Sequence, residues 1–512
     1  MKILHRHRLA AAIGIFILFF LLLYPFYKYI FDLDAIGYLM VTKRWASGDF
    51  HNAINGMWSP LHSWLIVPFY KLGFNEITSF KFSNAIISIG VLWMLNKLLQ
   101  KWSLSEMLKT CILLVSTIAL LWYSFYEIAA DLLVCLPFLW YLNIVCGENF
   151  FLNKGAAVFC GIAGALCYLS KSYFLPYFIF HFIFIQYYFY IQSAIENRHR
   201  FLIRNLIVGL GFFVLTSAGW IIALSLKFHE FTFGFAGVYN HKIAVLQNPA
   251  GPLLAEPMVP GSPHIWEDAS LIKLGSYKDS GIGALFIKQV SVFLNQFMEM
   301  LKEFNELSAF SIAIVFSGLV FLSRNRYQLL VVFVFTMITL PAGYLFMHIS
   351  IRYIWPEVFL LLVTGAYLLD SYFQFRKSSP ILVSLFWVCF FGSFLIYPIN
   401  GLKDGVGKDK EVFALAAEIN QLKCKGRFAS NDDKDIVARS TYISGNVYLQ
   451  NNRNANSENE FIEELKVKKV DYYFFLYEEP LQKEAFQKTA LYQWAGSRTI
   501  YSNEGMIVLS LN

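Results

Sequence analysis

The residues most able to do chemistry stand where the first long apolar run ends. In FDLDAIGYLMVTKRWASGDFHNAINGMWSPLHSWLIVP (31–68), Asp32 and Asp34 flank one leucine, ahead of a short helical pattern and then Trp58-Ser59-Pro60-Leu61 and Trp64. Carboxylates beside lipid are costly unless solvated, paired or put to use. The plain reading is that Asp32 and Asp34 cap a helix beginning near Ala35. A second acidic pair, Glu127 and Asp131, has the i,i+4 spacing that places both on one helix face, which an interfacial acid pair would also produce. Cations come from elsewhere in the chain: Lys171, and His348 with Arg352. Snorkelling accounts for any one of them singly. It does not account for acids and bases gathering at the same ends of separate apolar segments. Such a set suits a site where an anionic lipid headgroup meets a nucleophile.

The elements that must position these residues are membrane spans. A helix needs about 20 mostly apolar residues to cross about 30 Å of hydrocarbon. By that measure about eleven helices are expected, near 9–31, 80–99, 107–125, 130–146, 154–170, 173–193, 203–226, 306–323, 327–347, 352–370 and 380–397. The segment LHSWLIVPFYKLG (61–73) is apolar but too short, and is expected to lie along the interface or re-enter. Lys and Arg collect in cytoplasmic loops. With the N-terminus inside, the inside turns carry Lys2, Arg6 and Arg8; Lys97, Lys101 and Lys109; Lys154; Arg198, Arg200 and Arg204; Arg324 and Arg326; Arg376 and Lys377. The opposite loops hold Asp32, Asp34, Asp49, Glu127 and Asp131. An odd number of spans then puts the C-terminal region on the side of the candidate acids. A multi-pass protein of the plasma (inner) membrane is expected, with a cytoplasmic N-terminus.

Composition agrees. The chain is 57% hydrophobic and 15% charged, with mean hydropathy +0.50, against about 25% charged in soluble domains. The lipid bilayer is therefore its main solvent. The net charge of +7 sits mostly in short turns, where it sets orientation rather than marking a nucleic-acid surface. Cys111, Cys135, Cys146, Cys160, Cys167 and Cys389 lie in apolar segments, and Cys424 is alone in the tail, so no disulfide framework is implied. No zinc spacing, P-loop or Gly-rich nucleotide fingerprint occurs. The opening MKILHRHR and its apolar run to about residue 31 lack a small-residue cleavage site, which reads as an uncleaved first helix.

The expected architecture is an all-α polytopic membrane bundle over 1–400, with outer loops 32–79 and 227–305, and an extracytoplasmic α/β domain over 401–512. Within the second loop, 240–264 is rich in Pro and Gly and reads as irregular, while 283–303 reads as an amphipathic surface helix. In the tail, 409–422 has helical spacing, and KVDYYFFLY (469–477) and MIVLSL (506–511) read as buried strands.

Taken together, the motifs resemble those of the C-type integral membrane glycosyltransferases, the superfamily of protein O-mannosyltransferases and lipid A aminoarabinose transferases. The matching pieces are Asp34-Ala-Ile-Gly-Tyr38, the Gly48-Asp49 turn, Trp58-Ser-Pro-Leu-His-Ser-Trp64, Glu127 to Asp131 (EIAAD), Leu169-Ser-Lys171 and Arg352-Tyr353-Ile-Trp-Pro356. They follow the family's order over residues 10–370. The resemblance implies transfer of a sugar from a polyprenyl-phosphate donor to a glycan, lipid or protein acceptor outside the cytoplasm, with no nucleic-acid partner. It makes Asp34 the catalytic base, with Asp32 beside it as the other candidate. Many members have Glu after the acid; here Ala35 follows Asp34 and Asp32 precedes it. Lys171, Arg352 and His348 become the donor-phosphate ligands, and Tyr38, Trp58, Glu127, Asp131 and Tyr353 the sugar- or acceptor-binding groups.

The residue chemistry suits that reaction. An acceptor hydroxyl must lose a proton as it attacks the anomeric carbon, which a carboxylate can take, and a lipid-phosphate leaving group needs cations more than an acid. A single base and a displaced phosphate imply inversion. Asp32, Asp34, Glu127 and Asp131 also offer the hard oxygens that suit Mg²⁺ or Mn²⁺, and relatives differ in whether they need a metal. His264, Trp266, Glu267 and Asp268 either help close an acceptor site or are ordinary loop polarity. The rival classes are a lipid-linked glycan polymerase or ligase, whose key residues usually sit in a large late loop, and a transporter. A transporter predicts ionisable groups at mid-membrane and repeated segments, neither of which is seen.

Overall fold

Apolar runs become helices here because, in hydrocarbon, a helix satisfies its backbone N–H and C=O groups internally. The computed structural model describes residues 7–126, 129–246, 253–279, 281–324, 327–376, 379–451, 455 and 457–511. In chain order the helices are α1 (Arg8–Tyr27), α2 (Leu33–Ser47), α3 (Leu61–Lys71), α4 (Glu76–Leu99), α5 (Glu106–Tyr126), α6 (Asp131–Val145), α7 (Lys154–Ser170), α8 (Phe174–Gln192) and α9 (Arg198–Phe228). After them come α10 (Ala236–Leu246), α11 (Ile282–Leu307), α12 (Ser311–Arg324), α13 (Gln328–Ala342), α14 (Trp355–Phe375) and α15 (Pro380–Asp404).

Eight of these, among the described residues, are long and apolar enough to cross a membrane: α1, α4, α5, α8, α9, α13 with its continuation to Phe346, α14 with the turn from Ile351, and α15. Each of the eleven expected spans does coincide with helix, but three differ in kind. α6 and α7 have only 15 and 17 residues; both pack against neighbouring helices, α7 against α6 and α9. The span expected at 306–323 is instead shared between α11 and α12, which meet at 98°. Ser308 takes an extended conformation there, and its hydroxyl bonds Ser393 on α15 at 2.6 Å. The bend is thus anchored from a neighbouring helix, which hydropathy alone does not reveal.

Packing explains which faces are inside. α1 buries Phe16, Phe20 and Tyr27 and turns Leu18, Leu21 and Leu22 outward. Phe20 and Tyr27 stack on Phe125 of α5 at 4.8 and 4.9 Å. Small residues let helix backbones approach closely in membranes, and Gly161 shows it: a Cβ there would lie 2.2 Å from the Gly209 carbonyl oxygen of α9. The short segment expected to be interfacial is α3, which packs on α2 and α4. α11 is amphipathic as expected, with Ile282, Phe286, Ile287, Leu294 and Met298 exposed.

The strands are β1 (Leu254–Ala255), β2 (Arg427–Ser430), β3 (Val447–Tyr448), β4 (Gln450–Asn451), β5 (Tyr472–Leu476), β6 (Thr499–Ser502) and β7 (Met506–Ser510). Five form one sheet in the order β3-β2-β5-β7-β6. β2 runs parallel to β3 and β5, while β7 is antiparallel to both β5 and β6. α16 (Lys410–Gln421) and α17 (Ile436–Ser444) pack on each other beside it. The helix and both strands expected from the tail sequence are present; β2, β3, β4 and β6 are additional. The stretch expected to be irregular at 240–264 is partly ordered. It begins inside α10, and β1 pairs antiparallel with β4 of the tail, so the long loop is stitched to the C-terminal region. Residues 247–252 of that stretch lie outside the described residues.

Candidate active site

Asp32 is the N-cap of α2: its Oδ1 accepts the Ala35 amide at 2.9 Å. The capping expectation therefore holds for Asp32. Asp34, in the first turn, turns elsewhere. Its Oδ2 accepts a hydrogen bond from Arg352 Nη2 at 2.6 Å. Carboxylates in a first turn are also favoured by the helix dipole, and Asp131 likewise stands in the first turn of α6.

Arg352 comes from the single 3₁₀ turn (Ile351–Ile354) that leads into α14, and it is the hub. Besides Asp34 it faces Asp32 at 3.6 Å and Asp131 at 3.8 Å. Lys171, the extended residue that ends α7, forms a hydrogen-bonded ion pair with Asp131 Oδ1. Its ammonium lies 3.5 Å from the Tyr353 ring centroid and 5.5 Å from that of Tyr344. Three carboxylates from two helix starts are thus interleaved with two cations from two other helix ends.

These groups border a cavity of about 690 Å³. Asp34, Tyr38, Trp58, Asp131, Lys171, His348, Arg352 and Tyr353 line it, so the structure brings together eight of the ten residues singled out from sequence. Asp32 stands just behind, on Arg352, and Glu127 lies outside the described residues. Burial, followed by the nearby Arg352, holds the His348 imidazole below the ordinary value. That favours the neutral ring, which can offer a hydrogen bond to a ligand. Tyr38 is its complement: burial, then the Asp131 and Asp34 carboxylates, push its phenol up, which keeps it a proton donor.

The remaining wall was not anticipated. Tyr344 stacks between Tyr173, at 4.0 Å, and Tyr353, at 4.9 Å, and the stretch 230–240 contributes Phe231, Phe233 and Tyr239. In the loop 264–268 only Trp266 reaches the cavity. His264 is buried against Gln450 at 3.2 Å, Glu267 pairs with Arg44 at 2.9 Å, and Asp268 accepts the Gly56 amide at 3.2 Å. Glu267 and Asp268 hold the loop against 44–56 and His264 holds it to the tail, rather than closing over a ligand.

Trp58 is fixed from two sides. Its Nε1 donates to the Trp266 carbonyl at 2.9 Å, and its ring lies 5.0 Å from Tyr38. Gly37 makes room for it, since a Cβ there would sit 2.0 Å from that nitrogen. Gly37→Ala is expected to displace Trp58 and cost about 1–3 kcal/mol through overpacking. Thermal melts of the solubilised protein would show a lowered midpoint, while Gly14→Ala, whose Cβ meets nothing within 4 Å, leaves it unchanged. Equal midpoints would contradict the packing described.

A resident divalent cation does not fit the residues described. Asp34 and Asp131 are paired with Arg352 and Lys171, Asp32 is divided between the Ala35 amide and Arg352, and no group of three His, Cys, Asp or Glu among the described residues is arranged to hold a metal.

With this geometry in hand, comparison with known proteins is informative at the level of fold. No family model and no curated protein matches the sequence. Solved structures do match. ArnT from Cupriavidus metallidurans bound to undecaprenyl phosphate superposes with a TM-score of 0.55 over 97% of each chain at 11% identity. ArnT in the apo state gives 0.53 over 98% of each chain at 12% identity. The Archaeoglobus fulgidus oligosaccharyltransferase in the apo form gives 0.59 at 10% identity, covering 92% of this chain and 69% of that one. The chain has the fold of the C-type membrane glycosyltransferases. That likeness extends through the tail as well as the bundle, because the match to ArnT covers nearly the whole of both chains. The resemblance read from six short motifs is therefore matched by a likeness of the whole fold, at identities too low to carry individual residue roles.

Proposed function

We propose that this chain is a glycosyltransferase that moves a sugar from a polyprenyl-phosphate-linked donor to an acceptor hydroxyl, with inversion at the anomeric carbon. The observation that carries the reading is the cavity in which Asp34 and Asp131 meet Arg352 and Lys171 beside a wall of tyrosines. The undecaprenyl phosphate bound by the similarly folded ArnT is in keeping with such a donor. In the reaction, the acceptor oxygen attacks the anomeric carbon and its proton passes to the Asp34 carboxylate. The bond between the anomeric carbon and the phosphate oxygen breaks, and the electron pair leaves with the polyprenyl phosphate. Arg352 and Lys171 stabilise that anion, Arg352 through its planar fork. Tyr38, Tyr353 and Trp58 offer ring faces and a phenol to the sugar. As phosphate engages Arg352, the guanidinium is drawn from Asp34, so donor binding readies the base. No step needs a metal.

The site opens on the face that carries the tail. With the basic turns on the opposite face, that face is extracytoplasmic, and the membrane is the plasma (inner) membrane. Sealed vesicles of known sidedness, offered a panel of radiolabelled polyprenyl-phosphate sugars, test this directly. Label is expected to move from at least one donor to membrane extract, and only when donor has access to the tail-bearing face. Folded protein that transfers from no donor, or only from the opposite face, would refute the reaction or the orientation respectively.

A further inference from the structure

The tail holds the turn that precedes Asp34 through a buried grip. Arg439, near the start of α17, donates from Nη1 to the Phe31 carbonyl at 2.8 Å and to Asp409 Oδ1 at 2.7 Å. Asp409, the N-cap of α16, accepts the Phe31 amide on its other oxygen at 3.2 Å. Both polar groups of the Phe31 residue are thus taken by one tail ion pair, and both partners are buried, at 8% and 4% exposure. The Phe31 side chain is fully buried too, edge-on to Phe413 at 5.9 Å and below Arg439 at 5.8 Å. Asp32 follows immediately, and Asp34 stands three residues beyond Phe31. An ion pair this buried is weak evidence for stability, and one established use of such pairs is to fix a single register.

We infer that Arg439 and Asp409 are positioning residues that set the start of α2, and so the aim of Asp34, from the soluble domain. This rests on the reading of Asp34 as the base. The geometry gives the tail a task in the reaction without contact with either substrate. The whole guanidinium is engaged: Nη1 bonds both the Phe31 carbonyl and Asp409, while Nη2 and Nε donate to the Lys434 and Asp435 carbonyls, a set that the single ammonium of Lys cannot reproduce. Two further bonds tie α17 and the loop nearby: Tyr442 OH donates to Glu76 at 3.0 Å and the Tyr448 amide to the Pro263 carbonyl at 2.8 Å. Neither reaches the Phe31 peptide, so the grip on the acidic turn belongs to the ion pair.

The test is a cycle in the full-length, membrane-reconstituted protein. Arg439→Gln is expected to lower kcat by about 10²-fold, the scale of an ångström's misplacement, with donor KM changed less than about twofold because the described cavity walls other than α2 are untouched. Arg439→Lys should restore part of the rate. In the Asp34→Asn background, Arg439→Gln should lower the residual rate no further, since groups acting as a unit are non-additive. Asp409→Asn keeps the shape and carries the same test if the arginine variant fails to fold. Lys434→Ala, which removes an exposed tail ion pair, should leave kcat unchanged. Equal losses in both backgrounds would reduce Arg439 to a fold-stabilising role and overturn the proposal, as would an unaltered kcat in Arg439→Gln. Full activity in Asp34→Asn alone would remove the base itself, and needs no tail variant to be seen.

Discussion

Asp34→Asn is expected to lower turnover at least ~10²-fold, the usual scale for a general base, with expression and melting near those of the parent. The substitution is nearly isosteric, and the amide oxygen can still accept from Arg352 Nη2, so the contact at 2.6 Å has a replacement. What disappears is the charge and the ability to take the hydroxyl proton. Asp32→Asn is the informative partner. Asp32 spends one oxygen capping the Ala35 amide, and Asn caps a helix about as well as Asp. That variant should therefore keep most of the rate. The pair settles which acid leads, a question left open by the sequence because Asp32 and Asp34 both precede the Tyr38 motif. Wild-type turnover in Asp34→Asn, or an equal loss in both variants, would take Asp34 out of the mechanism.

Much of this site was legible before any coordinates, and the reason is topological. Acids and bases at the ends of apolar runs are few in a chain with 15% charged residues, so each one that is not a cytoplasmic turn stands out. Once the spans are counted, Asp34, Asp131, Lys171 and Arg352 fall at neighbouring helix ends, and their meeting needs only that those helices pack together. The aromatic wall had no such signal. With 51 Phe and 29 Tyr in the chain, Tyr173, Tyr344 and Phe233 look like every other lipid- or core-facing ring. Only their place in the cavity wall distinguishes them.

The fold divides in the same way. Hydropathy found each helix of the bundle, but it could not separate a full crossing from the buried, shorter α6 and α7, or reveal that a serine pair bends the chain between α11 and α12. These are decisions of packing, not of transfer free energy. In the tail, β5 and β7 announced themselves as unbroken apolar runs, whereas β3 spans two residues and β6 alternates intermediate and exposed positions. The grip of Arg439 and Asp409 on Phe31 joins residues some 400 positions apart, which no local pattern can disclose. His348 lines the cavity, and its charge depends on burial and on a cation brought close by folding, neither of which the sequence shows.

Arg352→Ala should be more damaging than loss of either neighbouring cation contact, because Arg352 serves both substrates of the reaction as proposed. Its guanidinium is the only described group that faces Asp32, Asp34 and Asp131 together. Removing it takes away the cation that these three carboxylates share, so the site turns more negative where an anionic donor must enter. Donor KM should rise at least ~10-fold, as expected for a lost charge-assisted contact of about 1.5–3 kcal/mol. kcat should fall as well, since a cation aimed at the departing phosphate is worth ~10²–10³ in the transition state. Arg352→Lys keeps the charge but not the fork, and should recover donor affinity more fully than turnover. Lys171→Ala, whose ammonium touches Asp131 and the tyrosine wall, should weaken donor binding with a smaller change in kcat. Steady-state kinetics against donor concentration separate these outcomes. Unchanged donor KM in both alanine variants would move the phosphate away from this corner of the cavity, and Arg352 would then be explained by its carboxylate partners alone.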